Sequence, residues 1–253
     1  MHTLNFQRVG LLLRHRVLLH AASLYRVVLP LVILFLLSLI PLATDDNPGQ
    51  VTGFLEGWLP AFVLLAGYFI TSNAIPEMSS ADGRQSYLTL PASNTEKWVT
   101  TYLFTGPILF VCLLLFFWVL SLAAVAILDA TGLVQVESLQ FERGMLSHIA
   151  KTYFLVMHPV ALLGAMLFDR FAFAKTAAVN LGVVLGLAAV TALAVRVVFY
   201  ENFTGFFTSI DGAGPNINIG PEQFGPNQLL ILLGLFALLL LSASYFRLHE
   251  KEV

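Results

Sequence analysis

Charge is what this sequence most conspicuously lacks. Only 11% of its 253 residues are charged, 58% are hydrophobic, and the mean hydropathy is +0.82. An ordinary soluble chain carries about 25% charged residues, so a water-soluble globular enzyme is the first class excluded. A net charge of −2 offers no basic field for nucleic acid. Cysteine is nearly absent as well. Cys112 stands alone among leucines and phenylalanines, which rules out an internal disulfide and a paired-cysteine metal site. No glycine-rich G-x-x-x-x-G-K-[ST] loop precedes the Lys-Thr pairs at Lys151 and Lys175, so nucleotide binding by a P-loop is excluded. Neither H-E-x-x-H nor G-x-S-x-G occurs, and the sequence implies no cofactor or metal of its own.

What is present is a set of long uncharged intervals. Arg26 and Asp45 enclose 18 such residues, Glu56 and Glu77 enclose 20, and Lys97 and Asp129 enclose 31. Lys151 and Asp169 enclose 17, Lys175 and Arg196 enclose 20, and Glu222 and Arg247 enclose 24. A helix needs about 20 apolar residues to cross ~30 Å of hydrocarbon, and about 17 suffice. One charge at mid-membrane costs about 2.5–3.5 kcal/mol on the insertion scale, so these gaps specify six spans. The fourth is the weakest, being the shortest and carrying His158-Pro159. A cleaved signal peptide is a poor account of the first span, whose basic lead-in is long and whose end shows no small-x-small cleavage pattern.

Six spans place both termini on one side. With the termini inside, Arg8, Arg14, Arg16, Arg26, Arg84, Lys97, Arg170, Lys175, Arg247 and Lys251 are internal, and only Arg143, Lys151 and Arg196 are external. That bias sets the expected orientation by the positive-inside rule.

The expected architecture is an all-α integral membrane protein, a single permease-like domain over 1–253. Residues 1–26 form an interfacial amphipathic helix, with Phe6, Val9, Leu13, Val17 and Leu24 on one side and Arg8, His15 and Arg26 on the other. Spans 1 and 2 follow within 27–76, the second beginning near Trp58 after the turn-rich TDDNPGQ loop. An internal elbow occupies 77–98. The third span covers 98–128, and its excess length requires tilt, protrusion or a kink at Gly106-Pro107. Spans 4 and 5 fall within 152–200, joined by the tight turn Asp169–Lys175, with a short surface helix expected in the loop before them. The fifth span is rich in small residues, including Gly182 and Gly186, which permits close helix approach. An external aromatic and Gly/Pro/Asn-rich loop at 201–228 leads to the sixth span at 229–246.

The elbow, EMSSADGRQSYLTLPASNTEKW, carries the most information. Asp82 to Leu90 can form a short helix or turn that Pro91 must stop. Ser93 and Glu96 then match a capping box, in which the hydroxyl takes one orphan N–H and the carboxylate reaches back to another. Lys97 and Trp98 fall at headgroup level. Within the spans His158 is the one histidine. It suits a proton relay or, beside Pro159, a hydrogen bond to a freed carbonyl, and the second reading is favoured. No acidic or basic residue occupies mid-span, which argues against an ion-coupled carrier.

The order of these elements, together with SYLTLPASNTEKW at Ser86–Trp98, resembles the permease subunits of type-2 ABC exporters, in particular the small stand-alone permeases common in Bacteroidota-like genomes. Members carry a similar Leu-Pro-x-Ser, here Leu90 to Ser93, followed by a charged pair, here Glu96-Lys97. The terminal YFRLHEKEV also looks like theirs. The resemblance implies that the elbow is a coupling helix onto which a separate ABC ATPase subunit docks, through Asp82, Arg84, Tyr87, Leu88, Leu90, Pro91, Ser93, Glu96 and Lys97. Tyr87, Leu88 and Leu90 have the composition of a small interface anchor on an otherwise polar loop, and Arg84 and Lys97 can pair with acids on a partner. A second permease copy, homo- or heterodimeric, alternating access and residence in a bacterial inner membrane with both termini cytoplasmic are implied by the resemblance. ATP hydrolysis then belongs to the other subunit. A non-transporting membrane scaffold or assembly factor is the competing reading, and an intramembrane enzyme using His158 is the third.

Overall fold

A computed structural model describes residues 5–41, 48–75, 77, 83, 85, 87, 89–130, 143–169, 171–198 and 226–250. Every element among them is a helix: α1 (Phe6–Ser38), α2 (Pro48–Ser72), α3 (Asn94–Leu103), α4 (Leu109–Ala130), α5 (Arg143–Thr152), α6 (His158–Leu167), α7 (Ala172–Val198) and α8 (Pro226–Glu250). Two π-helical turns, Phe104–Ile108 and Tyr153–Met157, join α3 to α4 and α5 to α6 without a break in the chain's helical course. Five of the resulting rods are long and apolar enough to cross a membrane, and up to six if the bent α1 counts as one span.

A few residues before the expected boundary between an interfacial helix at 1–26 and a first span at 27, the chain bends without leaving its helix. The halves Phe6–Leu19 and Leu24–Ser38 belong to one helix and meet at 53°. The intervening His20-Ala-Ala-Ser contains no proline or glycine to end a helix. The face expected to be apolar also divides. Val9 is buried, while Phe6 and Val17 are exposed, and Arg16 is buried in their place.

α2 begins at Pro48, ten residues before Trp58, so part of the expected TDDNPGQ loop is the first turn of a helix. Proline suits that first position, where its missing N–H would have no partner. Val51 and Leu55 are buried ahead of Trp58, and Glu56 is half-buried on the same helix.

The third rod runs unbroken from Asn94 to Ala130, 37 residues, or about 55 Å at 1.5 Å per residue. Of the tilt, protrusion or kink at Gly106-Pro107 expected of it, the described helix shows no break there but a π turn that absorbs the donor lost at Pro107. The fourth rod shows the same device at Tyr153–Met157, immediately before His158-Pro159. It is longer than the uncharged interval suggested. Gly144–Leu167 form 24 continuous helical residues with Lys151 exposed inside them, so the surface helix expected before the fourth span is the first turns of the same rod. The loop residues 131–142 and 201–225 lie outside the described residues, and 226–228 already belong to α8.

Two apolar clusters hold the rods together. One joins α1, α2, α4, α5 and the second π turn through Phe35, Leu55, Phe62, Phe117, Ile149 and Tyr153. Phe117 stands edge-on to Phe35 at 5.8 Å and 5.5 Å from Phe62. The other gathers Ala74, Ile75, Tyr87, Leu162, Met166 and Leu248 around the elbow. Glycine permits two close approaches. A Cβ at Gly67 would strike the Tyr153 ring, and one at Gly164 would strike Thr176 of α7. The small residues farther along α7 are not used in this way. Gly182 and Gly186 have nothing within 4 Å of a Cβ position, and residues 181–193 are exposed.

Candidate functional site at the elbow

The restart of the chain after the elbow is built as its spacing predicts. The Glu96 N–H donates to the Ser93 hydroxyl oxygen at 3.2 Å, and the Ser93 N–H donates to Glu96 Oε2 at 2.9 Å, a complete capping box. The same carboxylate does more than cap. Its Oε1 accepts the backbone N–H of Asn5 at 3.0 Å, tying the start of α1 to the start of α3. Asn5 is itself the N-cap of α1, accepting the Gln7 N–H on its side chain. Each carboxylate oxygen of the buried Glu96 therefore accepts an N–H from a helix start, where the dipole also favours negative charge.

Beneath this cap lies a buried cation–aromatic stack. Arg16, 4% exposed, donates to the Ala74 carbonyl and, at 3.1 Å, to the Tyr87 hydroxyl. Its guanidinium carbon lies 5.3 Å from the Tyr87 ring centroid, and Lys97 Nζ lies 5.4 Å from the same centroid. Glu77 stands 3.9 Å from Arg16, too far for a hydrogen bond but close enough to balance charge. Burial of an arginine is sustained only by such a set of acceptors and counter-charge. The arrangement fastens α1, the end of α2, the elbow and α3 into one unit.

The last helix holds the opposite side. Trp98 Nε1 donates to Ser244 Oγ at 2.9 Å, Asn94 Nδ2 lies 2.9 Å from His249 Nδ1, and Thr95 Oγ1 lies 3.3 Å from the Tyr245 hydroxyl. Trp98 also stacks on Tyr102 and meets Tyr245 edge-on. Both described ends of the chain thus converge on the elbow.

Of the residues expected to dock a partner, Tyr87, Glu96 and Lys97 are turned inward, 2–3% exposed, and their contacts are with the chain itself. Leu90 and Ser93 are half-buried, and Pro91 is exposed beside exposed Thr89 and Gln85. Asp82, Arg84 and Leu88 lie outside the described residues. Arg16, Asn5 and Glu77 were not expected as parts of the site. Arg16 had a signal: it falls seven residues after Val9, on the same helical face, within a stripe that packs inward.

His158 belongs to a separate polar cluster between the two π turns. It is 1% exposed, and its Nε2 lies 3.0 Å from the Thr105 hydroxyl, not on a freed carbonyl. Thr105 Oγ1 donates to the Thr101 carbonyl, and the Tyr153 hydroxyl donates to the Thr105 carbonyl. A Cβ at Gly106 would stand 3.4 Å from the histidine ring, in ordinary van der Waals contact. The cluster joins the third and fourth rods where both depart from α-helical pairing. Among the described residues no group of histidine, cysteine and carboxylate side chains could hold a metal ion. Comparison of the chain with known protein families, with curated proteins and with solved structures gives no match.

Proposed function

We propose that this chain is the membrane-spanning permease subunit of an ATP-driven exporter, coupling a separate ABC ATPase to outward movement of substrate. The observation that carries the reading is the fastening of the elbow to the first and last helices at once, through Glu96–Asn5, Arg16–Tyr87 and Trp98–Ser244. A push on a loop moves nothing if the loop is slack. A push on this elbow is delivered to α1, α3 and α8 together. The buried members hold the lever in shape, and Gln85, Thr89 and Pro91 are the surface a cytoplasmic motor touches. The elbow and both termini face the cytoplasm of a bacterial inner membrane, in accordance with the excess of internal lysine and arginine. A second permease copy packs against the small-residue face of α7, whose Gly182 and Gly186 have no neighbour within the described chain.

The test is capture. The tagged full chain, purified from its native membrane, is expected to bring down an ABC ATPase, and Thr89→Arg with Pro91→Asp is expected to abolish that capture while leaving helix content and thermal stability unchanged. Normal capture by the double variant would refute the docking surface. Absence of any ATPase from the wild-type preparation would favour a membrane scaffold instead.

A further inference from the structure

A groove opens between α1 and the third rod across the bend of α1, with Val17 on one side of the bend and Leu24 on the other. Val28 and Val32 form one wall. The other is a stripe of residues four apart, Phe104, Ile108, Cys112 and Phe116, and the cavity holds about 540 Å³, within the ~300–1,000 Å³ typical of ligand sites. Phe104 and Ile108 are the first and last residues of a π turn, a departure from α-helix that recurs at functional sites.

The shape selects the occupant. The stripe from Phe104 to Phe116 is about 18 Å long at 1.5 Å per residue. Spread over that length, 540 Å³ leaves a section on the order of 30 Å². A helix about 10–12 Å across would lay only part of one face into so narrow a groove, whereas an acyl chain lies in it along its length. A single hydrocarbon chain fits, and the walls are apolar throughout apart from the Tyr25 hydroxyl and the Cys112 thiol.

Charge on the first half of α1 points to the headgroup. No acidic residue precedes Asp45, and the two acids set against this half, Glu77 and Glu96, face Arg16 and the Asn5 N–H. Arg16 is turned into the elbow. Arg14 is exposed and lies one turn before Val17, a groove residue, on the same face of α1. We propose that this groove holds one acyl chain of an anionic membrane lipid, whose phosphate rests against Arg14. The inference depends on the chain residing in a bilayer and on neither the ATPase nor transport.

The experiment reconstitutes the full chain into vesicles of phosphatidylglycerol and phosphatidylcholine in equal amounts, then reads retained lipid by native mass spectrometry after solubilisation. The wild type is expected to retain phosphatidylglycerol preferentially. Cys112→Trp, which fills the groove, is expected to lose the retained lipid, and Arg14→Gln to retain lipid without preference for either headgroup. Retention unchanged by Cys112→Trp, or preference unchanged by Arg14→Gln, overturns the proposal. So does a change of oligomeric state in Cys112→Trp with lipid retention intact. Should Cys112→Trp fail to fold, the wild type decides. Alkylation of Cys112 by N-ethylmaleimide is expected to be slower in phosphatidylglycerol than in an equal amount of phosphatidylcholine, and equal rates overturn the proposal. Release of the chain from membranes by alkaline carbonate would instead refute membrane residence itself, a failure distinct from that of the groove.

Discussion

Asn5 and Glu96 stand 91 positions apart and share a hydrogen bond of 3.0 Å, from the backbone N–H of the first residue before α1 to the carboxylate that caps α3. The other oxygen of that carboxylate accepts the Ser93 N–H at 2.9 Å. One side chain therefore closes the restart of the third rod and pins the N-terminal helix to it. A helix cap has become a joint between the chain's beginning and its elbow.

Removal of the cap should weaken this joint in two grades. Ser93→Ala loses one cap bond, a change worth about 0.5–2 kcal/mol. Glu96→Ala loses two bonds to a charged group, each worth about 1.5–3 kcal/mol, and should be the worse variant. Thermal unfolding of the purified chain in detergent checks the order. Equal losses would show that the Asn5 bond contributes nothing.

Arg16 should tolerate no simple replacement. Arg16→Ala removes the partner of the Tyr87 hydroxyl, the Ala74 carbonyl and Glu77 together, and breaking a buried charged set of this kind costs about 3–5 kcal/mol. Arg16→Lys should recover only part of this, because a single ammonium cannot reproduce the two-nitrogen fork that reaches Ala74 and Tyr87. Tyr87→Phe keeps the ring beside the two cations and loses only the hydroxyl, about 1.5–3 kcal/mol for a bond to a charged group. Unfolding temperatures in the order wild type, Tyr87→Phe, Arg16→Ala would support the stack; Tyr87→Phe at or below Arg16→Ala would refute it.

Gly164→Ala should destabilise through its collision with Thr176. Overpacking of this sort costs about 1–3 kcal/mol. Thr176→Ala, added to it, should restore part of the loss, since the hydroxyl and methyl that collide are removed. Additive losses in the double variant would place the collision elsewhere.

The sequence made some of this plain and hid the rest for physical reasons. Ser93 and Glu96 were legible because a capping box is a local device, with donor and acceptor three residues apart. The irregularity at Gly106-Pro107 was legible because a proline inside a helix must lose a donor. The start of the fourth rod was not, because Lys151 read as a boundary, whereas a long side chain can lie along a helix with its charge outward. Arg16 was hidden by composition: an arginine in a basic leader reads as an anchor, and its acceptors are the Ala74 carbonyl and Tyr87, 58 and 71 positions away. The inward turn of Tyr87 and Lys97 depends on that same long-range stack. The elbow's existence was local information, while its attachment to α1 and α8 was not.

The central claim is that the elbow faces the compartment that supplies ATP. Pro91→Cys, placed in a Cys112→Ser background, puts the only thiol on the exposed bend, and a membrane-impermeant maleimide applied to intact cells reads its side directly. The account predicts no labelling until the cells are permeabilised, and full labelling thereafter. Labelling of intact cells would place the elbow outside, beyond any cytoplasmic motor, and would contradict the account.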